Sequence, residues 1–244
     1  MKLAQKEHEE LPDFKEVKGS LGERFADRLR KHPKENISTL FGRNWEAVEE
    51  FGRLVAKLKG AGKLIVINEI GAGLDEEGRI IKHNASYEPF ELLNEMRKAR
   101  VKPDGFILNV IDIRKDVLLA IRSTKVLKVP VIEAVGKHFD EFFPESQGEM
   151  KGKYIRVSIP EEYTGRINCF ELDVMKTPAP IKADITFSFI QMKYSDDYVE
   201  RLAACTKSGG RIITHVEYEQ KVLDKVGLVR SNPERLKYAI YGVK

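Results

Sequence analysis

The chain has 244 residues, 42% of them hydrophobic, with 42 Lys and Arg against 38 Asp and Glu for a net charge of +4. That length holds one α/β domain plus a helical appendage, and that apolar content supplies a core, which excludes global disorder. The small positive excess is scattered: Arg28-Leu29-Arg30-Lys31 and Arg97-Lys98-Ala99-Arg100 read as solvated helix faces, not the basic stripe of a nucleic-acid binder.

Residues 1 to 60 are expected to form a helical N-terminal segment. Leu21, Phe25 and Leu29 recur at four-residue steps, and Trp45, Val48, Phe51, Val55 and Leu58 at three- and four-residue steps, before Gly60-Ala61-Gly62 stops the last helix. From residue 61 to 244 the pattern becomes short apolar runs alternating with helical stretches. Strands are expected at 64–67, 106–111, 167–174, 185–190 and 211–216, with a shorter one at 154–159. Helices are expected at 90–100, 116–123 and 198–206, with a turn at Pro103-Asp104-Gly105. Residues 131–143 have mixed helical periodicity. The end reads as a short helix at 222–226 and two strands at 227–229 and 236–243, joined by the turn Ser231-Asn232-Pro233-Glu234. This alternation predicts an α/β fold: a Rossmann-like, seven-stranded, mostly parallel sheet closed by a C-terminal antiparallel hairpin. Such a hairpin is a habit of methyltransferase sheets and not of dinucleotide dehydrogenases.

Asn68-Glu69-Ile70-Gly71-Ala72-Gly73 follows the first strand directly. Glycines there let the backbone approach a ligand at the carboxyl edge of the sheet, although a tight strand-to-helix turn also wants them. The third glycine of the dinucleotide fingerprint is replaced by Leu74-Asp75-Glu76. Acidic residues repel a pyrophosphate but accept the amino group of a methionine moiety, which favours S-adenosyl-L-methionine over NAD. Asp112 ends the second strand, where a carboxylate can accept both hydroxyls of a ribose; the competing role is a helix N-cap. Asp173 closes the third strand as either an adenine-binding group or a solvated loop carboxylate. Ser208-Gly209-Gly210-Arg211 reads as the turn before the fifth strand. His83, His138 and His215 lack partners at metal-ligand spacing, so no metal is expected.

Several segments together resemble the chemotaxis-receptor glutamate methyltransferases, a class I S-adenosylmethionine-dependent family. Asn36-Ile37-Ser38-Thr39-Leu40-Phe41-Gly42-Arg43 is similar to that family's N-x-T-x-F-F-R segment, and Ser86-Tyr87-Glu88-Pro89-Phe90-Glu91-Leu92 to its G-E-E-P-Y-S-L motif. Val110-Ile111-Asp112-Ile113 with Val117-Leu118 resembles its T-D-I strand and helix. His138-Phe139-Asp140-Glu141-Phe142-Phe143 and Tyr154-Ile155-Arg156-Val157 resemble the stretch before its N-L dipeptide, for which Asp173-Val174 stands. The resemblance implies cofactor contacts from Asn36, Ser38, Arg43, Glu88, Asp112, Asp173 and Val174. With the glycine turn and the ends of the second and fourth strands, the candidate cofactor set becomes Asn36, Ser38, Glu69, Gly71, Ala72, Gly73, Glu88, Asp112, Ile113, Asp173, Val174 and Phe189. Where the family has C-R-N-V-L-I-Y-F, this chain has Ser188-Phe189-Ile190-Gln191-Met192-Lys193-Tyr194-Ser195.

The expected activity is in-line methyl transfer from S-adenosyl-L-methionine to an acceptor, a small molecule or a protein, that the sequence leaves open. A carboxylate acceptor is ionised at neutral pH and needs no base, and Arg43 could steer it bidentately while Tyr194 borders it. A cofactor-binding module without turnover and an NAD-dependent oxidoreductase are the competing readings. Cys169 and Cys205 lie far apart, no apolar run approaches the roughly 18 residues of a membrane span, and the N-terminus has no apolar leader, so a soluble cytoplasmic protein is expected. Charged residues at 33% with scarce Gln resemble heat-adapted compositions.

Overall fold

The computed structural model describes residues 44–71, 87–130, 149–151, 154–189, 196–215, 217–233 and 236–244. Helix α1 (Trp45–Lys59) buries Ala47, Val48, Phe51, Gly52 and Val55 along one face, as the three- and four-residue steps predict. Strand β1 (Ile65–Ile70) is buried along its whole length. The apolar pattern alone places its end at residue 67, yet it runs on through Asn68 and Glu69. Asn68 can stay in the core because its amide is satisfied: Nδ2 donates to the carbonyls of Ile181 (2.8 Å) and Cys205 (3.1 Å), and Oδ1 accepts from Asn109 Nδ2 (2.9 Å).

Helix α2 (Glu88–Lys98) follows, then a 3-10 turn (Pro103–Gly105), strand β2 (Phe106–Asp112) and helix α3 (Lys115–Ser123). Between α3 and the next sheet strand lies a small antiparallel sheet in the order β3-β5-β4: β3 (Val126–Pro130), β4 (Glu149–Lys151) and β5 (Tyr154–Ser158). Only the β5 stretch is legible in the sequence. Leu127, Val129 and Val157 bury this sheet against the main core. A short helix α4 (Glu161–Thr164) leads to β6 (Ile167–Glu171), β7 (Ala183–Ser188), α5 (Asp196–Ala204), β8 (Thr206–Thr214), α6 (Gln220–Lys225), β9 (Leu228–Arg230) and β10 (Ala239–Val243).

The main sheet has seven strands in the order β6-β2-β1-β7-β8-β10-β9. The first five are mutually parallel, and β10 pairs antiparallel with both β8 and β9. This is the expected Rossmann-like, mostly parallel seven-stranded sheet with its C-terminal antiparallel pair. Two details differ from expectation. Strand β6 is a five-residue edge strand, half-buried, and not a core strand running to residue 174, because it pairs only with β2 and the chain turns away at Asp173. The Ser208-Gly209-Gly210 stretch is not a turn before β8 but an irregularity within it, between the pairs Ala183–Thr206 and Ile185–Arg211. Gly209 takes φ 77°, and a Cβ on Gly210 would meet Thr206 Cγ2 at 2.7 Å and the Lys207 carbonyl at 2.8 Å, so both positions require glycine.

One face of the sheet carries Ile65 and Ile67 of β1, Phe106, Leu108 and Val110 of β2, and Ile185 and Phe187 of β7. It packs against α1, α2, α3 and the small sheet. The other face meets α5 and α6 through Ile70, Ile111, Tyr198, Val199, Leu202, Val222 and Leu223. At the far end the Asn232 side chain closes the β9–β10 turn, accepting from Ile240 N (2.7 Å) and donating to the Tyr238 carbonyl (2.8 Å).

Candidate functional site

Because β6, β2, β1, β7 and β8 run the same way, their carboxyl ends line one edge, where open α/β sheets bind ligands. At that edge β1 passes into Gly71, whose φ of 81° lies in the left-handed region that side chains disfavour. Gly71 N donates to the Ile111 carbonyl at 2.9 Å, so the β1–β2 ladder continues to the rim. On the other flank, Ser188 Oγ at the end of β7 donates to the Ile70 carbonyl (3.1 Å) and shares a 2.6 Å hydrogen bond with Tyr198 Oη. The glycine exit is thus tied to strands on both sides.

Four carboxyl groups converge there. Glu69 and Val110 are register partners, so Asp112, two residues on, faces the same side of the sheet as Glu69. Helix α2 supplies Glu88 and Glu91 from its first turn, where carboxylates complement the helix dipole; Pro89 starts the helix, and Arg97 and Lys98 occupy its last turn. Asn44, just before α1, donates its amide to Glu88 and clamps the start of α2. Glu91 and Asp112 are buried, and Glu69 has no exposed surface. Neither Glu69 oxygen has a hydrogen-bond partner among the described residues. Burial, reinforced by the charges of Glu88, Asp112 and Glu91, pushes the Glu69 carboxyl well above the ordinary carboxylate range. No set of three or more His, Cys, Asp or Glu among the described residues is placed to hold a metal ion.

The remaining sequence candidates are spread around this edge. Asp112 Oδ1 accepts from Arg114 N (2.8 Å), forming a turn at the end of β2, while Arg114 itself precedes α3. Ile113 is 65% exposed at the rim. Asp173 folds the chain after β6: its Oδ1 accepts from Met175 N (3.0 Å) and its Oδ2 pairs with Lys176 Nζ (3.3 Å). Val174 is buried in the core on the α5–α6 side. Phe189 leaves β7 stacked on Phe187, centroids 4.7 Å apart, with the His215 ring at 5.8 Å after β8. The structure therefore brings Glu69, Gly71, Glu88 and Asp112 together, with Phe189 on the same face of the sheet as Glu69. Asn36, Ser38, Arg43, Ala72, Gly73 and Tyr194 lie outside the described residues.

Two members of the cluster escape sequence reasoning. Glu91 is one helical turn from Glu88, and that spacing was its only signal; its burial comes from α2 lying against both α1 and the sheet. Asn44 has no local signal at all, since its partner is 44 residues away.

No family model matches the chain, and no curated protein matches it. Among solved structures it is similar to a putative methyltransferase from Thermoplasma acidophilum, at 10% identity over 75% of this chain and 69% of that one, with a TM-score of 0.39. It is similar to a methyltransferase from Geobacter sulfurreducens, at 11% identity over 92% and 88% of the two chains, with a TM-score of 0.40. It is also similar to a SAM-dependent methyltransferase from Thiobacillus denitrificans in complex with S-adenosyl-L-homocysteine, at 11% identity and a TM-score of 0.37. That match covers 77% of this chain and 54%, about half, of the other.

Proposed function

We propose that the chain is an S-adenosyl-L-methionine-dependent methyltransferase whose cofactor lies across the carboxyl ends of β1 and β2. The observation that carries this reading is the Glu69 carboxyl group, fully buried and without a hydrogen-bond partner among the described residues, beside Glu88, Glu91 and Asp112. A group left so is costly unless a ligand satisfies it. Four acidic groups disfavour a dinucleotide pyrophosphate and favour a cation, and S-adenosyl-L-methionine carries an ammonium and a sulfonium.

In this reading Glu69 accepts the ammonium, Gly71 permits close approach of the backbone, Asp112 accepts from the ribose hydroxyls, and Ile113 offers apolar surface to the base. Asp173 reaches the adenine amino group only by exchanging its present contacts with Met175 and Lys176. Val174 and Phe189, with Asn36, Ser38, Ala72 and Gly73, complete the proposed cofactor set. The chemistry such a cofactor supplies is an electrophilic methyl group. The chain's part is to align the acceptor and exclude water, for which Phe189, stacked on the buried Phe187, provides apolar surface. Arg43, whose guanidinium suits a bidentate pair with a carboxylate, and Tyr194 are assigned to the acceptor, a carboxylate in the finer form of the proposal.

Calorimetric titration with S-adenosyl-L-homocysteine and, separately, NAD tests this. Binding of the first and not the second is expected; binding of NAD alone would overturn the reading. The replacement of the family's Arg-Asn pair by Phe189-Ile190 favours, as a second reading, a module that binds the cofactor without turnover. Absence of methyl transfer from labelled S-adenosyl-L-methionine to any cell-extract fraction, with binding intact, selects it.

A further inference from the structure

Glu69 stands where a ligand's positive charge and a proton compete for the same carboxyl group. Its neighbours are known on each packed element. Beside it on β2 is Asp112, and α2 presents Glu88 and Glu91. From β7 its register partner is Phe187, which has no ionisable group. From β6 comes Cys169, a thiol that burial pushes up, with opposing smaller influences from Arg122 and Glu69. Every charged group among the described residues that acts on Glu69 is thus a carboxylate, and none supplies a compensating cation. A carboxylate in full burial with no donor on either oxygen is the costlier of its two forms.

Resting on the cofactor reading above, we propose that Glu69 is a specificity-determining residue that carries a proton in the ligand-free protein and surrenders it to solvent when a primary ammonium enters beside it. The balance is simple: the protonated carboxyl and the ammonium become a carboxylate–ammonium pair plus one released proton. No covalent bond to carbon changes and no oxidant or reductant is needed. Two consequences follow for selectivity. A ligand with the same nucleoside but no ammonium cannot drive the exchange, so it loses this source of affinity. A pyrophosphate entering the same space meets carboxyl groups that burial and charge have already set against further negative charge.

The test is proton counting by calorimetry on the full chain. S-Adenosyl-L-homocysteine is titrated at one pH in two buffers of different ionisation enthalpy, from pH 5.5 to pH 8. The expected result is release of close to one proton at the acid end, with affinity rising by up to about tenfold per pH unit there. Methylthioadenosine, which has the nucleoside and lacks the amino acid, is expected to bind with no proton release. Glu69→Gln, isosteric with the protonated carboxyl, is expected to bind S-adenosyl-L-homocysteine at least tenfold more weakly and to release no proton. Buffer-independent heats with the wild-type chain, equal proton release with methylthioadenosine, or undiminished release in Glu69→Gln would each overturn the proposal while leaving the cofactor reading standing. No heat with S-adenosyl-L-homocysteine at any pH would overturn both.

Discussion

Glu69 and Asp112 end adjacent parallel strands on one face of the sheet, and the charge of Asp112 adds to the burial that holds the Glu69 proton. The two carboxyl groups differ in circumstance. Asp112 has a backbone donor at 2.8 Å from Arg114, whereas Glu69 has none among the described residues. Neighbouring groups of one chemical type are thereby set in different surroundings, one already holding a backbone donor and the other awaiting a cation.

Stability should report this directly. The folded protein holds the Glu69 proton more tightly than the unfolded chain does. The stability it confers is therefore complete below the unfolded value of about 4.3 and is lost as pH rises through the higher folded value. Glu69→Gln is expected to melt close to wild type at pH 4 and above it at pH 8. Thermal melts across that range check it; parallel curves for the two proteins contradict it.

Asp112→Ala is expected to weaken S-adenosyl-L-homocysteine binding by at least about 1.5 kcal/mol, the cost of a lost hydrogen bond to a charged group. Its effect on folding should be smaller, the loss of the turn bond at 2.8 Å from Arg114 N. Unchanged affinity in a titration would remove Asp112 from the site.

The asparagine row offers a test of the core. Asn109 donates to Asn68 Oδ1 (2.9 Å) and accepts from Asn168 Nδ2 (3.2 Å). Asn109→Ala takes away both partners in buried surroundings, and about 2–4 kcal/mol of destabilisation is expected. For a chain of this size that lowers the melting temperature by roughly 5–15 °C. A change under 2 °C would mean the amides are satisfied otherwise.

The irregularity in β8 separates two kinds of glycine. Gly209→Ala meets no atom within 4 Å and pays only for its φ of 77°, about 1–2 kcal/mol. Gly210→Ala pushes a methyl against Thr206 and the Lys207 and Asp184 carbonyls, and is expected to cost more, about 2–3 kcal/mol. Denaturant melts of the two variants should rank them in that order.

The parts of this protein that the sequence announces are those fixed by local pattern. The succession of strands and helices follows from alternating apolar runs and helical periods, and Gly71 and Asp112 are visible because each ends such a run. Where tertiary partners decide, the pattern fails. β1 runs past its apolar segment because Asn109, Ile181 and Cys205 satisfy Asn68 from afar. Strand β3 finds β5 across intervening chain and β4 is only three residues long, so they leave little periodicity to read. Gly209 and Gly210 look like a turn because a strand irregularity and a turn demand the same residue. Glu91 looks like an ordinary helix-surface charge, and only the packing of α2 makes it part of the cluster.

The asparagines also act as an alignment key for the site above them. Asn68, Asn109 and Asn168 are register partners across β1, β2 and β6. Sliding β2 by one residue against β1 would turn its asparagine to the opposite face and strand its amide in hydrocarbon. The height of Asp112 relative to Glu69 is therefore indexed by hydrogen bonds lower in the sheet, so a mutation in that row, on the opposite face from Glu69, should misplace the rim carboxylates before it unfolds the chain.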